Sequence, residues 1–113
     1  MAQTTTLILL PQTPYTNASP NVYGDKQEGA GYYIANKNLQ TINWNLTNVT
    51  GTLLIQASLA NDPTNDDWFA AYSLPCNSLT QISYYNLQGN FVWVRAVMLN
   101  FTQGVVQYVK MSY

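Results

Sequence analysis

Apolar and polar side chains alternate along two neighbouring segments in the middle of the chain. Residues 41–49 place apolar side chains at every second position, and residues 52–60 repeat the pattern. A two-residue period is typical of a strand with one buried face. The dipeptide Thr50-Gly51 separates the segments and favours a tight turn, so the pattern predicts a hairpin. The residues expected on its buried face include Trp44, Leu53, Ile55 and Ala57.

Strand patterns also precede and follow this hairpin. Val, Thr, Tyr and Trp supply strand propensity throughout, and no ten-residue window has helical spacing. The predicted strands are residues 4–10, 31–35, 41–49, 52–60, 68–74, 79–87, 91–101 and 105–113. In the longest and most apolar of them, Val94 is expected to be buried. Eight strands with turn signals every ~8–12 residues predict one all-β domain over residues 1–113, an antiparallel, jelly-roll-like β-sandwich.

Residues 11–30 break the strand pattern. They hold three prolines, two glycines and few apolar side chains, and they exceed the length of ordinary connections. We expect an extended, proline-rich arm or a long loop here. The arm would dock on a neighbouring subunit or a shell through three anchors: Tyr15, Val22 and Tyr23. The alternative is a loop folded back over its own domain.

The composition indicates a surface covered by neighbours. Of the 113 residues, 47% are apolar, which is enough for a core, but only 8% are charged, against ~25% in typical soluble domains. Asn, Gln, Ser and Thr supply the polarity instead. Because neutral polar groups cost less to desolvate than charges, this composition suits a protein that contacts other proteins extensively.

Charge, hydropathy and cysteine usage exclude several classes of protein. The net charge is −1 and the four basic residues are scattered, so no basic patch for nucleic acid is expected. No apolar run reaches the ~20 residues of a membrane span, and the N-terminus lacks the basic start of a signal peptide. The lone Cys76 excludes an internal disulfide and a Cys-based zinc site. Synthesis in a reducing cytoplasm is the simplest interpretation.

The sequence offers little catalytic chemistry. It has no histidine, and three of its five acidic residues lie in one short polar segment, residues 61–67. Cys76 and the serines have no neighbouring base in sequence. We therefore predict no enzyme activity, no cofactor and no catalytic or metal site. Residues 61–67 have oxygen ligands that suit Ca²⁺, but the alternative, a turn capped by its own side chains, is favoured.

The aromatic residues provide candidate binding surfaces. The sequence has nine tyrosines and three tryptophans, and such rings serve equally well in a core, a protein interface or a sugar-binding face. The candidates for surface positions are Tyr32, Tyr85 and Trp93. Carbohydrate is the alternative ligand to protein for these rings.

The chain from Trp44 onward resembles a known group of proteins. The motifs are GTLLIQASLANDPTNDDWF, GNFVWVRA and NFTQG, which begin at Gly51, Gly89 and Asn100. Their order resembles small β-sandwich virion structural proteins and fibre-associated domains of tailed, especially marine, bacteriophages. The resemblance implies a structural role on a virion and brings no catalytic residues. The fold is also loosely similar to discoidin and carbohydrate-binding modules, whose ligand loops have no matching motif here.

These observations lead to two expectations about function. The first is a capsid decoration or cement protein, made in the host cytoplasm, that binds capsid or other virion proteins and its own neighbours. We expect a homo-oligomer, a trimer rather than a dimer, because few charges protect the strand edges. The alternative is a receptor- or carbohydrate-binding module of a tail or fibre. The absence of shaft repeats and coiled-coil heptads favours the first.

Overall fold

Three long strands form most of one antiparallel sheet. The computed structural model describes residues 6–16, 21–32 and 39–113. The strands are β1 (Thr6–Leu10), β2 (Thr13–Pro14), β3 (Val22–Tyr23), β4 (Gln27–Glu28), β5 (Leu39–Ser58), β6 (Phe69–Gln88) and β7 (Trp93–Ser112), with a 3-10 turn at Asn65–Asp67. The prediction of an all-β, antiparallel fold is confirmed. Among the residues described, no helix is long and apolar enough to cross a membrane.

Strand β5 lies between β6 and β7 and is paired along most of its length. Trp44 faces Ser83 of β6 and Val109 of β7, while Ile55 faces Tyr72 and Ala96. Beyond β7, the sheet order ends with β1 on one side, and β6 ends it on the other. The short strands β2, β3 and β4 also pair with β7.

The predicted hairpin at Thr50-Gly51 is wrong. Strand β5 continues through this dipeptide, and its pairing with both neighbours shifts register there. Gly51 has φ 151°, a value that favours glycine, and it accommodates a bulge rather than a chain reversal. Residues 68–74 and 79–87 likewise belong to one strand, β6, and residues 91–101 and 105–113 to β7.

Pro75 and Gly104 fall between predicted strands, yet both lie within strands of the structure. Pro75 lies within β6, opposite Thr52. Because β6 is at the end of the sheet order, a missing amide is tolerated there. Gly104 lies within β7 at φ 93°, and a Cβ atom at this position would lie 2.2 Å from the carbonyl oxygen of Asn48. Both residues mark irregularities inside strands, not turns between strands.

The long strands bend back on themselves. Each has 20 residues and would extend about 66 Å if straight, yet the longest dimension of the molecule is 40 Å. Tyr72 and Tyr85 both belong to β6, and their ring centroids are 4.2 Å apart. The bulges thus fold the sheet so that two parts of one face approach each other.

The core lies on the concave face of the bent sheet. All five residues expected to be buried are buried: Trp44 is 2% exposed, and Leu53, Ile55, Ala57 and Val94 are fully enclosed. Trp44 stacks on Tyr72 and donates its indole Nε1–H to Oε1 of Gln81 at 3.1 Å. The alternation of side chains therefore located the core correctly, although the strands were divided in the wrong places.

One buried glutamine connects the N-terminal segment to the sheet. Gln40 is fully enclosed, and its Oε1 accepts the backbone N–H of Ala30 at 2.9 Å. Its Nε2 donates to the carbonyls of Leu87 at 2.9 Å and Gly89 at 3.1 Å. A buried amide satisfied at both ends fixes three chain segments in one arrangement.

The described parts of residues 11–30 lie along β7 of the same chain. Backbone N–H groups of Tyr15, Gly24 and Gly29 donate to carbonyls of β7 and of Val92 just before it. Tyr15 packs edge-on against Phe101 at 5.7 Å, and Val22 packs against the core. These residues thus follow the alternative of a loop folded back over its own domain.

Some predictions fall partly outside the described residues. The strand predicted at residues 4–10 corresponds to β1 over Thr6–Leu10, and residues 4 and 5 lie outside the described residues. In the strand predicted at residues 31–35, Gly31 and Tyr32 form a turn instead, and residues 33–35 lie outside the description.

Candidate functional site

The side chains of Cys76 and Asp67, which are candidates for catalysis and metal binding, make hydrogen bonds to nearby groups of the fold. Cys76 is buried, its thiol donates to the carbonyl of Leu74 at 3.5 Å, and burial raises its pKa. A raised pKa disfavours the reactive thiolate. In the segment 61–67, the Asp67 carboxylate accepts the backbone N–H of Thr64 at 2.7 Å and its hydroxyl at 3.1 Å. Across the described ranges, no group of three or more Cys, Asp or Glu side chains has metal-binding geometry.

A concave site lies on the surface of the sheet around Arg95. It encloses about 550 Å³ and is lined by Tyr23, Gln56, Trp68 and Arg95. We call these four residues the Arg95 depression. Gln56 and Arg95 face each other across β5 and β7, and Tyr23 comes from β3, opposite Val97. Trp68 follows the 3-10 turn and precedes β6. Four segments distant in sequence therefore meet at this site.

The guanidinium of Arg95 is held by an amide and two aromatic rings. Its Nε donates to Oε1 of Gln56 at 2.7 Å. Its Cζ lies 4.3 Å from the ring centroid of Trp68 and 5.2 Å from that of Tyr23, which are cation–π distances. Burial lowers the pKa of Arg95, partly opposed by Tyr23, but an arginine remains charged at neutral pH. The result is a fixed positive charge in a partly desolvated position.

Two of the predicted surface aromatics lie beside this depression. Trp93 is two positions before Arg95 on β7 and so shares its face of the sheet. Tyr32 packs edge-on against Trp93 at 5.2 Å, and Nζ of Lys26 lies 4.5 Å from the Trp93 ring centroid. The Trp93 indole also donates to the carbonyl of Asn61 at 2.9 Å. Tyr32 is exposed, whereas Trp93 is only partly so.

The third predicted surface aromatic lies elsewhere. Tyr85 is exposed on β6 and stacks on Tyr72, which in turn stacks on Trp44. It does not join Tyr32 and Trp93. Ile82 and Tyr84, exposed by 68% and 64%, lie on the opposite face of β6, because neighbouring residues of a strand alternate between its two faces.

The outer edge of β6 is the second candidate surface. Phe69–Gln88 contains no charged residue, and within the described part of the chain its strand pairs with β5 alone. We call this strand the β6 edge. Edge strands are ordinarily protected from other chains by charges, bulges or short length. The β6 edge is long and neutral, although Pro75 and its register shifts interrupt it.

These surfaces could be predicted only in part from the residue pattern. Lys110 lies inside the sheet, opposite Ile8 and Asn43, and so does not protect an outer strand edge. Tyr23 was expected as an arm anchor and lines the Arg95 depression instead. Gln56 and Trp68 were not identified. The available signal was Arg95 itself, a single charge in a strongly apolar segment.

Comparison of the chain with protein-family models, with curated proteins and with solved structures finds no match. The choice among functions therefore depends on the surfaces described above and on the sequence motifs.

Proposed function

We propose that the chain is a non-enzymatic structural protein of a virus particle, made in the host cytoplasm, which binds capsid or other virion proteins and further copies of itself. The observation that carries this proposal is the β6 edge. This strand has 20 residues and no charge, and among the described residues it pairs with β5 on one side only. A decoration or cement protein needs surfaces of this kind because it functions by contact with neighbours. The resemblance from Trp44 onward supplies the viral context.

Strand pairing between copies would satisfy the β6 edge. Addition of a strand from another copy provides hydrogen bonds for the outer backbone groups, and the exposed Ile82 and Tyr84 provide apolar contact area. The sheet order ends at β1 on the opposite side, where Ile8 is 52% exposed. Pairing of β6 with β1 of the next copy is a head-to-tail contact that can close into a ring. A ring of this kind has three or more copies, which is compatible with the expected trimer, whereas pairing of two β6 edges would give a dimer.

The proposal also includes a sandwich architecture for the fold. We infer that the bent sheet, with two parts of one face packed together, is the jelly-roll-like β-sandwich that the resemblance implies. Contact with the shell would involve surfaces other than Tyr15 and Val22, because both pack within the chain. Of the three predicted anchors, Tyr23 is the one left accessible for a partner, because it is 56% exposed.

Labelling of virus particles tests the proposed location. Antibodies against the chain, carrying gold, would be added to intact purified particles and imaged by negative-stain microscopy. The proposal expects regular label on the particle surface, and particles made without the gene for this chain are the control. Absence of label from intact and from disrupted particles would contradict a structural role on the virion.

A second candidate function is a receptor- or carbohydrate-binding module of a tail or fibre. The observation in its favour is the Arg95 depression, where a charge, an amide and aromatic rings surround a volume of small-molecule size.

A further inference from the structure

The Arg95 depression has the size and composition of a site for a small polar ligand. Its volume of about 550 Å³ falls within the ~300–1,000 Å³ common for such sites. A partner protein would instead require an extended surface of ~800 Å² on each side. The concave shape therefore favours a compact ligand.

The positive charge in the depression is available to a ligand. Among the described residues no carboxylate pairs with Arg95, whose hydrogen bond to Gln56 uses Nε. The two terminal Nη groups have no described acceptor, and they are not sealed from solvent. The rings of Trp68 and Tyr23 restrain the guanidinium. A restrained guanidinium with free Nη groups matches the two oxygens of a carboxylate.

The rest of the lining matches a sugar ring. The apolar C–H face of a pyranose packs well against an aromatic ring, and Trp68 and Tyr23 both supply such rings. The hydroxyl groups of a sugar need hydrogen-bond donors and acceptors. Gln56 uses Oε1 to hold Arg95, which leaves its Nε2 hydrogens as donors.

We propose that the Arg95 depression binds an acidic sugar, a hexuronate or similar carboxylated pyranose. The carboxylate pairs with Arg95, the ring packs against Trp68 or Tyr23, and a hydroxyl accepts from Gln56. This inference rests on the second candidate function, carbohydrate binding, and names its ligand class. It does not depend on self-association through the β6 edge.

Calorimetric titration of the purified chain tests this inference with a matched pair of ligands. The probes are a disaccharide ending in glucuronate and the same disaccharide ending in glucose. The acidic disaccharide is expected to bind about ten- to a hundredfold more tightly, as for a charge-assisted hydrogen bond to a guanidinium. Arg95→Gln should abolish the difference, and Arg95→Lys should lose most of it because an ammonium lacks the planar fork.

Lys110→Gln is the matched control, since Lys110 is on the same strand and its Nζ lies 4.3 Å from the ring centroid of Tyr108. This variant should keep the full preference for glucuronate. Thermal melts of all variants report folding. If Arg95→Gln does not fold, two measurements still test the inference. They are the ratio of affinities for the two disaccharides in the wild-type chain and the same ratio in the Arg95→Lys variant.

Each contrary result has a distinct meaning. Equal binding of the two disaccharides, lost in Trp68→Ala, would overturn the acidic ligand class and leave carbohydrate binding in place. Binding of neither disaccharide would overturn both this inference and the second candidate function, while the virion proposal depends on particle labelling. Tighter binding of a glutamate-containing peptide than of the glucuronate disaccharide would overturn the sugar in favour of a protein ligand.

Discussion

Tyr72 and Tyr85 stack with their ring centroids 4.2 Å apart although both belong to the single strand β6. This contact requires the strand to bend sharply between them without a hairpin. The irregular positions that permit it occur at similar levels in the three long strands: Asn48 and Gly51 in β5, Ser78 in β6, and Asn100 and Gly104 in β7 all have positive φ. The bend is therefore a property of the whole sheet.

Replacement of a bulge glycine should destabilise the fold. Gly104→Ala forces a side chain onto a backbone at φ 93°, with its Cβ 2.2 Å from the Asn48 carbonyl oxygen. We expect a loss of about 1–3 kcal/mol from the strained backbone alone, and more from the clash. Urea denaturation measures it, with the exposed neighbour Thr102→Ala as control. Equal midpoints for the two variants would show that the bend does not depend on Gly104.

Truncation of the central tryptophan should be costly. Trp44 is 2% exposed and stacks on Tyr72, so Trp44→Ala leaves a large cavity. The expected loss in free energy of unfolding is about 3–5 kcal/mol. Leu59→Ala, at a position 63% exposed, is the control and should change stability little. A loss below 1 kcal/mol for Trp44→Ala, roughly the median point mutation, would contradict its place in the core.

The alternating pattern identified the core because burial on one face of a strand imposes a two-residue period whatever the strand does at its ends. It did not identify the ends. Gly51, Pro75 and Gly104 lie between predicted strands, because these residue types are common both at strand ends and at bulges and sequence alone does not distinguish the two. The register that decides between them comes from contacts between distant strands.

The candidate surfaces depended even more on such contacts. Trp93 and Tyr32 were chosen as exposed aromatics, and the fold brings them together. The Arg95 depression joins Tyr23, Gln56, Trp68 and Arg95 from four segments. Which residues line the depression depends on the strand register and on the pairing of residues 21–30 with β7. The residue pattern specifies neither of these.

Alkaline pH should destabilise the chain partly through Cys76. Burial raises the pKa of this thiol in the folded state above its ordinary value of 9.0. The folded state then holds the thiol proton more tightly. The contribution of the thiol to stability is therefore fully present below pH 9 and is lost as pH rises through the folded pKa. Burial also raises the pKa of Tyr113, which adds to the decline.

Thermal melts of the wild type and Cys76→Ala between pH 7 and about pH 11 isolate the contribution of the thiol. The variant should lose stability less steeply above pH 9, because the contribution of the thiol has been removed. Parallel curves for the two proteins would show that the thiol makes no contribution.

The most direct test of the central claim is the mass of the purified chain in solution, measured by light scattering over a range of concentrations. The account predicts an oligomer for the wild type, with three copies favoured, and a monomer for Ile82→Lys, which places a charge on the β6 edge. Leu59→Lys is the control, because Leu59 is similarly exposed at 63% but lies outside β6, and it should keep the wild-type mass. A wild-type chain that stays monomeric at every concentration, or an Ile82→Lys variant with unchanged oligomeric mass, would contradict assembly through the β6 edge.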